Sequence, residues 1–211
     1  MVRQIMKHEN LVACQLRSKA RTMVPAADLK ERPNRVKRDF KVSAPARKRV
    51  GDITYIRTWQ GFVYLETVMD CYSKKIIGYA LADRMKTSLI QKALAMAART
   101  CPPITGVTIF HFDRGVQYTS DDYTATMKTY STLASVGRTS ICYDNAATES
   151  FNATCKKELI NRKIYPTKRK AITDVTSWIE LCSNHSRPHS ALDYRTPNEV
   201  RQELTPNQKT A

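Results

Sequence analysis

What most constrains the fold of this chain is a switch in the period of its apolar residues. Residues 53–58, 62–70 and 75–81 are short β-branched and aromatic runs, and the turn-forming residues 59–61 separate the first two. They predict three strands of an antiparallel meander. The period then becomes helical. Leu89, Ile90, Ala93, Leu94 and Ala97 share one face of a helix over 87–100, with Thr87 or Ser88 as its cap and Pro102 and Pro103 as its stop. A buried strand is expected over 106–112, a helix over 120–130 capped by Ser120, a short fifth strand near 139–142, and helices over 145–160 and 168–186. Three meander strands followed by helix, strand, helix, strand and helix describe an α/β domain with a mixed five-stranded sheet flanked by helices.

Charge adds a second constraint. The 211 residues carry a formal net charge of +16. Residues 1–50 hold 14 lysines and arginines against four acids, whereas residues 52–149 hold ten against nine. A nearly neutral middle between basic flanks favours a polyanionic partner, most simply nucleic acid. Three prolines among many charges mark residues 24–49 as an extended basic linker. The expected division is therefore a basic N-terminal extension over 1–45, a catalytic core over 46–166, and a C-terminal helix and tail over 167–211. The six cysteines form no C-x-x-C pair, which argues against a zinc ribbon and for free thiols in a reducing compartment. No run of about 18 apolar residues predicts a membrane span. The N-terminus has no apolar signal core, so a cytoplasmic, nucleoid-associated protein is expected.

Three acids stand out by position. Asp52 opens the first strand, Asp113 follows the fourth, and Glu149 lies in the first turn of the 145–160 helix. Strand ends with a helix packed across them can gather distant carboxylates, and hard cations such as Mg²⁺ take oxygen ligands of this kind. Acids are far more often solvated surface groups, so position alone does not single out these three.

The local wording does. GDITYI, HFDRGVQYTS and CYDNAATESFNATCKKEL, in this order and spacing, resemble the three active-site blocks of DDE transposases and retroviral-type integrases. The closest resemblance is to transposases of the third insertion-sequence family, in which a second reading frame encodes the integrase-like part. It runs from about Val36 to Val200 and ends in RPHSALDYRTPNEV. The resemblance implies a ribonuclease-H-like fold, with Asp52, Asp113 and Glu149 as a catalytic triad that holds two Mg²⁺ or Mn²⁺ ions. It implies hydrolysis of a phosphodiester at an element end, then strand transfer by the released 3′-hydroxyl. It also implies DNA ends and target as partners, an oligomer on DNA, and a helix-turn-helix protein or fusion from the upstream frame. A ribonuclease-H-type nuclease and an inactive DNA-binding relic are the alternatives.

Other residues have two readings each. Glu149, Asn152 or Ala153, Lys156 and Lys163 share one helix face by their spacing. Lys156 resembles the DNA-contacting lysine of integrases, or simply faces solvent. Arg114 reaches a phosphate or pairs with a surface acid. Tyr143 and Asn145 contact a DNA end, or Asn145 caps the helix. His111 belongs to the core or supports the site. His185 and His189 read as structural, because Pro188 lies between them. Asp70, Asp121, Asp122 and Asp144 are rival carboxylates.

The chain departs from the family pattern at Arg49 (an expected tryptophan), Phe112 and Val116 (small serines), Ala147 (a bulky residue) and Asp193 (a glycine). Losing two large side chains beside the site is expected to loosen its packing by a few kcal/mol. Because residues 1–40 resemble only the tail of the family's N-terminal region, the isolated chain should bind DNA with little sequence preference. Gel shifts that show tight binding to one terminal repeat alone would contradict this.

Overall fold

The computed structural model describes residues 2–10, 33–37, 39–112, 121–137 and 146–203. In chain order the helices are α1 (Val2–His8), α2 (Thr87–Thr100), α3 (Asp121–Thr129), α4 (Ala146–Glu158), α5 (Lys168–Ser177) and α6 (Pro197–Gln202). The strands are β1 (Lys48–Thr58), β2 (Gly61–Asp70), β3 (Ile76–Ala82), β4 (Ile109–Phe112) and β5 (Leu133–Val136). They form one mixed sheet in the order β3-β2-β1-β4-β5.

The meander is the expected one. β1 and β2 pair antiparallel from Arg49↔Asp70 to Thr58↔Gly61 around a two-residue turn, where Gly61 takes φ +97°, a conformation that suits glycine. β2 and β3 are antiparallel, with a bulge between Val68 and Met69. β4 and β5 add on parallel to β1 and to each other, joined by crossover helices as parallel pairs require.

Helix α2 and part of α3 cover one face of the sheet. Leu89, Ile90, Ala93, Leu94 and Ala97 bury against Val68, Ile77, Phe110 and Phe112. Helices α4 and α5 cover the other face, packing Phe151, Cys155, Ala171, Val175 and Trp178 on Val50, Ile56, Val63 and Leu65. Phe40 and Val42 pack against this second core, so the described part of the basic linker docks on the sheet rather than standing away from it.

Several local expectations change. The fifth strand is Leu133–Val136, and the residues near 139–142 fall outside the described ones. LASV is too short and too weakly alternating to be recognised without its neighbour. Strand β1 starts five residues earlier than expected, and β4 begins only at Ile109 because 105–107 form a turn. The N-cap of α2 is Lys86, without a side-chain cap bond. Ser120 and Asn145, the other suggested caps, lie outside the described residues. The 168–186 helix is α-helical to Ser177 and continues as a π-helix over Trp178–Ser183.

Of the departures from the family pattern, Arg49 and Phe112 fill their positions, Ala147 packs against the second core, and Val116 lies outside the described residues. Arg49 is only 2% exposed, and its guanidinium donates to the carbonyl of Cys101 at the C-terminal end of α2. Burial holds its pKa below the usual guanidinium range, while this bond and nearby Asp70 oppose that shift. A large side chain therefore still occupies this position. Phe112 is fully buried beside Phe110. Asp193 takes φ +54°, a left-handed conformation that explains why glycine suits the position.

Close approach of α2 to the sheet depends on Gly78. A Cβ there would lie 2.2 Å from the Ala93 carbonyl oxygen and 2.6 Å from the Ala97 backbone nitrogen. Backbone atoms cannot swing aside, so Gly78→Ala should destabilise the fold by about 3 kcal/mol. Differential scanning calorimetry should then show Tm lowered by about 6–12 °C. An unchanged Tm would mean that α2 sits farther from the sheet.

Candidate active site

Asp52 lies on β1, and its side chain belongs to the sheet face covered by α4. Neighbouring Val50 and Ile56, of the same parity, pack in that core. Asp52 is 9% exposed, and one carboxylate oxygen, Oδ2, accepts a hydrogen bond of 2.7 Å from Nδ2 of Asn152 on α4. This bond fixes α4 against the central strand. Glu149 lies three residues before Asn152, one turn along the same helix face, in the first turn where the dipole favours a carboxylate. It is exposed, whereas Asp52 is buried. One face of α4 thus brings Glu149 to the rim of the surface on which Asp52 sits.

Asp113 lies outside the described residues. The strand that leads to it is described: in the parallel register Phe112 is the Cα partner of Gly51, the residue before Asp52. Among the described residues no three acidic, histidine or cysteine side chains gather into a metal-binding group, and the described part of the site holds two of the three expected carboxylates.

The surroundings of Asp52 fit a hydrated hard cation. Thr67, its cross-strand partner, is fully buried, and among the described residues neither its hydroxyl nor Oδ1 of Asn152 has a hydrogen-bond partner. Buried polar oxygens in this state call for water or an ion beside them. The donors here are oxygens, as Mg²⁺ and Mn²⁺ prefer. Cys155, on the same helix, is no rival ligand, because burial pushes its thiol up to about 12.

Lys156, four residues beyond Asn152, places its ammonium 5.0 Å from the centre of the Tyr55 ring, a cation–π contact at the β1 edge. Asn152 and Lys156 therefore do share a helix face. Lys163 does not: α4 ends at Glu158, a 3-10 turn follows over Ile160–Arg162, and Lys163 lies in extended backbone, ion-paired at 2.9 Å with Asp174. Arg114, Tyr143 and Asn145 lie outside the described residues. His111 is fully buried, with Nδ1 2.8 Å from the Ser135 hydroxyl and its ring edge-on to Phe40, a core position.

Of the rival acids, Asp70 has a described role. The Asp70 carboxylate accepts from the Ala46 and Ser73 amides and the Ser73 hydroxyl, which makes it a turn-former. Asp121 and Asp122 open α3, as expected of first-turn acids, while Asp144 lies outside the described residues. His185 and His189 do not form a helical ligand pair. His189 is half-buried in a backbone bridge with Arg195, and burial, then Arg187, lowers its pKa. The spacing left Asn152 or Ala153 open on that face and gave no sign of the bond; the structure selects Asn152, which bonds to Asp52. The ion pair of Arg187 with Glu158, at 3.0 Å, was also missed, and it ties the end of α4 to the C-terminal segment.

Comparisons with known proteins bear on the family and the fold. Two models described as integrase core domain match residues 42–142 and 132–197. The transposase for insertion sequence element IS904 of Lactococcus lactis is 38% identical over 168 residues, which is 80% of this chain and 66% of that protein. Transposase InsF for insertion sequence IS3A of Escherichia coli is 38% identical over 157 residues, 74% of this chain and 54% of that protein. The chain thus spans less than two thirds of the length of either. Among solved structures, the HTLV-2 integrase catalytic core domain in complex with magnesium superimposes with a TM-score of 0.57 at 13% identity, covering 76% of this chain and 99% of that one. A chain of the simian T-cell lymphotropic virus intasome gives a TM-score of 0.62 at 13% identity, covering 83% of this chain and 60% of that one. The sheet is thus the ribonuclease-H-like sheet of integrase catalytic cores, and the chain belongs to the integrase-core family of DDE transposases, among the IS3-type insertion-sequence members.

Proposed function

We propose that this chain is the catalytic part of a transposase that cuts and joins DNA at the ends of an insertion sequence, with Asp52, Asp113 and Glu149 as its metal ligands. The hydrogen bond from Asn152 to Asp52 carries this reading, because it docks the helix bearing Glu149 onto the strand bearing Asp52. Support for Asp113 comes from the register that ends one residue before it, with Phe112 opposite Gly51.

In this reading the first step breaks a phosphodiester by attack of water and leaves a 3′-hydroxyl on the element end. In the second, that hydroxyl attacks a target phosphodiester in line, so one phosphorus–oxygen bond forms as another breaks. Two divalent ions bound by the three carboxylates would stabilise the attacking and leaving oxygens. The chain itself positions the reactants and forms no covalent bond to DNA. Asn152 holds the Asp52 carboxylate in one orientation, and Lys156 offers a cation for a nearby phosphate once it leaves the Tyr55 ring. Recognition of the ends falls to a helix-turn-helix partner or fusion from the upstream frame, and pairing of two ends requires an oligomer on DNA. Among the described residues no helix is long and apolar enough to cross a membrane.

Strand cleavage of element-end DNA, assayed in Mg²⁺ or Mn²⁺, tests the triad. Asp52→Asn and Glu149→Gln should each lower the rate at least a hundredfold at unchanged DNA affinity. Wild-type rates in both variants would end this reading, and cleavage of RNA–DNA hybrids alone would replace it with a ribonuclease-H-type activity. Asn152→Ala should raise the Mg²⁺ concentration for half-maximal cleavage by about 10–100-fold, as loss of a ligand-orienting partner does. An unchanged Mg²⁺ midpoint would show that the Asn152 bond serves stability alone.

A further inference from the structure

Three buried polar side chains from three elements meet around Asp52. Asp52 on β1 and Thr67 on β2 are Cα partners in the antiparallel pair. Their side chains therefore leave the same face of the sheet, with Cβ atoms about 4.5–5.5 Å apart. Asn152 on α4 comes down on that face and bonds to Asp52 at 2.7 Å. Thr67 is completely buried, and Asn152 is 7% exposed.

Two atoms of this group are left over. Among the described residues the Thr67 hydroxyl has no hydrogen-bond partner, and neither has Oδ1 of Asn152. Native interiors rarely leave such atoms without a bond, because burial has already removed their water. Thr67 also differs from other buried threonines of this chain: Thr58 and Thr108 donate to the carbonyls of Gly61 and Ala46.

The chemistry of the two atoms says what joins them. An amide oxygen only accepts, whereas a hydroxyl donates and accepts. One water satisfies both, accepting from Thr67 and donating to Asn152. Position favours water over an ion here. In the sheet order, β2 and β4 lie on opposite sides of β1, and β4 is the strand that leads to Asp113. Thr67 thus flanks Asp52 on the side away from the proposed metal pocket.

Such a water has a consequence for Asp52. An asparagine amide turned over by half a rotation would aim its oxygen, not its N–H, at the Asp52 carboxylate, and attraction would become repulsion. A donor fixed at Oδ1 opposes that rotation.

We infer that Thr67 is a positioning residue for the metal site: its hydroxyl and Oδ1 of Asn152 share one buried water, which keeps the Asn152 amide turned toward Asp52. Thr67 acts through Asn152 and touches neither metal nor DNA. The inference rests on the proposed function in taking Asp52 as a metal ligand.

Metal-free crystals of the full chain test the water. Density within about 2.7–3.2 Å of both atoms is expected. No water there, or a direct bond between Thr67 and Asn152, would overturn the inference. Mn²⁺ binding, followed by electron paramagnetic resonance of the unbound ion, tests the role. T67V keeps the shape and removes the hydroxyl; it should weaken binding about threefold to tenfold, the worth of one hydrogen bond. T67S keeps the hydroxyl and should bind as the wild type does. In an N152A background T67V should add no further loss, because the amide it orients is gone. T108V, which removes the bond to Ala46 at the start of β4, should lower Tm without changing Mn²⁺ affinity. Wild-type affinity in T67V, or a full further loss in T67V/N152A, would also overturn the inference. A wild-type chain that binds no Mn²⁺ would instead sink the proposed function, and the metal-free crystals would still decide the water.

Discussion

The hydrogen bond from Asn152 to Asp52 joins the helical layer to the central strand at the point where both carry a proposed metal ligand. One amide hydrogen does two things. It gives a buried carboxylate oxygen a donor, without which burying the charge would be strongly unfavourable, and it sets the register of α4 along β1. Glu149 and Lys156 inherit their places from that register, one turn before and one turn after Asn152. The C-terminal end of α4 is fastened separately by Arg187 and Glu158, so the helix is held at its middle and at that end.

The rest of the fold makes this contact possible. A parallel β4 beside β1 brings the strand that precedes Asp113 next to Asp52, and parallel pairing demands a crossover helix. That helix, α2, packs closely because Gly78 faces Ala93 and Ala97. Its C-terminal carbonyls, on Cys101 and Thr100, accept from the guanidiniums of Arg49 and Arg201, which suits the negative end of a helix dipole. An arginine in a tryptophan's place therefore keeps bulk in the core and adds a cap, at the expense of burying a cation.

Legibility in the sequence followed how local each signal is. The α2 helix over 87–100 was read to the residue, because its five buried positions repeat at 3.6-residue intervals. The meander was read nearly as well from β-branched alternation. Strand β5 was misplaced because four residues, two of them only partly buried, carry almost no periodic signal, and pairing with β4 decides where they go. The linker looked free because its anchors, Val36, Phe40 and Val42, are single apolar residues among charges with partners about 70–100 residues away. Within the site, Asp52 and Glu149 were legible only through a family resemblance, since a carboxylate at a strand start or in a first helical turn is commonplace. The role of Asn152 was not legible at all, because its partner lies 100 residues distant. Lys163 was misjudged by extending a helix past Glu158, where a 3-10 turn redirects the chain toward Asp174.

The account stands on Asp52, Asp113 and Glu149 sharing one metal site. Anomalous diffraction from crystals of the whole chain grown with Mn²⁺ and element-end DNA would test this most directly. The account predicts one manganese bridged by the carboxylates of Asp52 and Asp113, at about 2.1 Å from each, and a second reached by Glu149. Manganese bound elsewhere, with Asp52 and Asp113 sharing no ion, would contradict it.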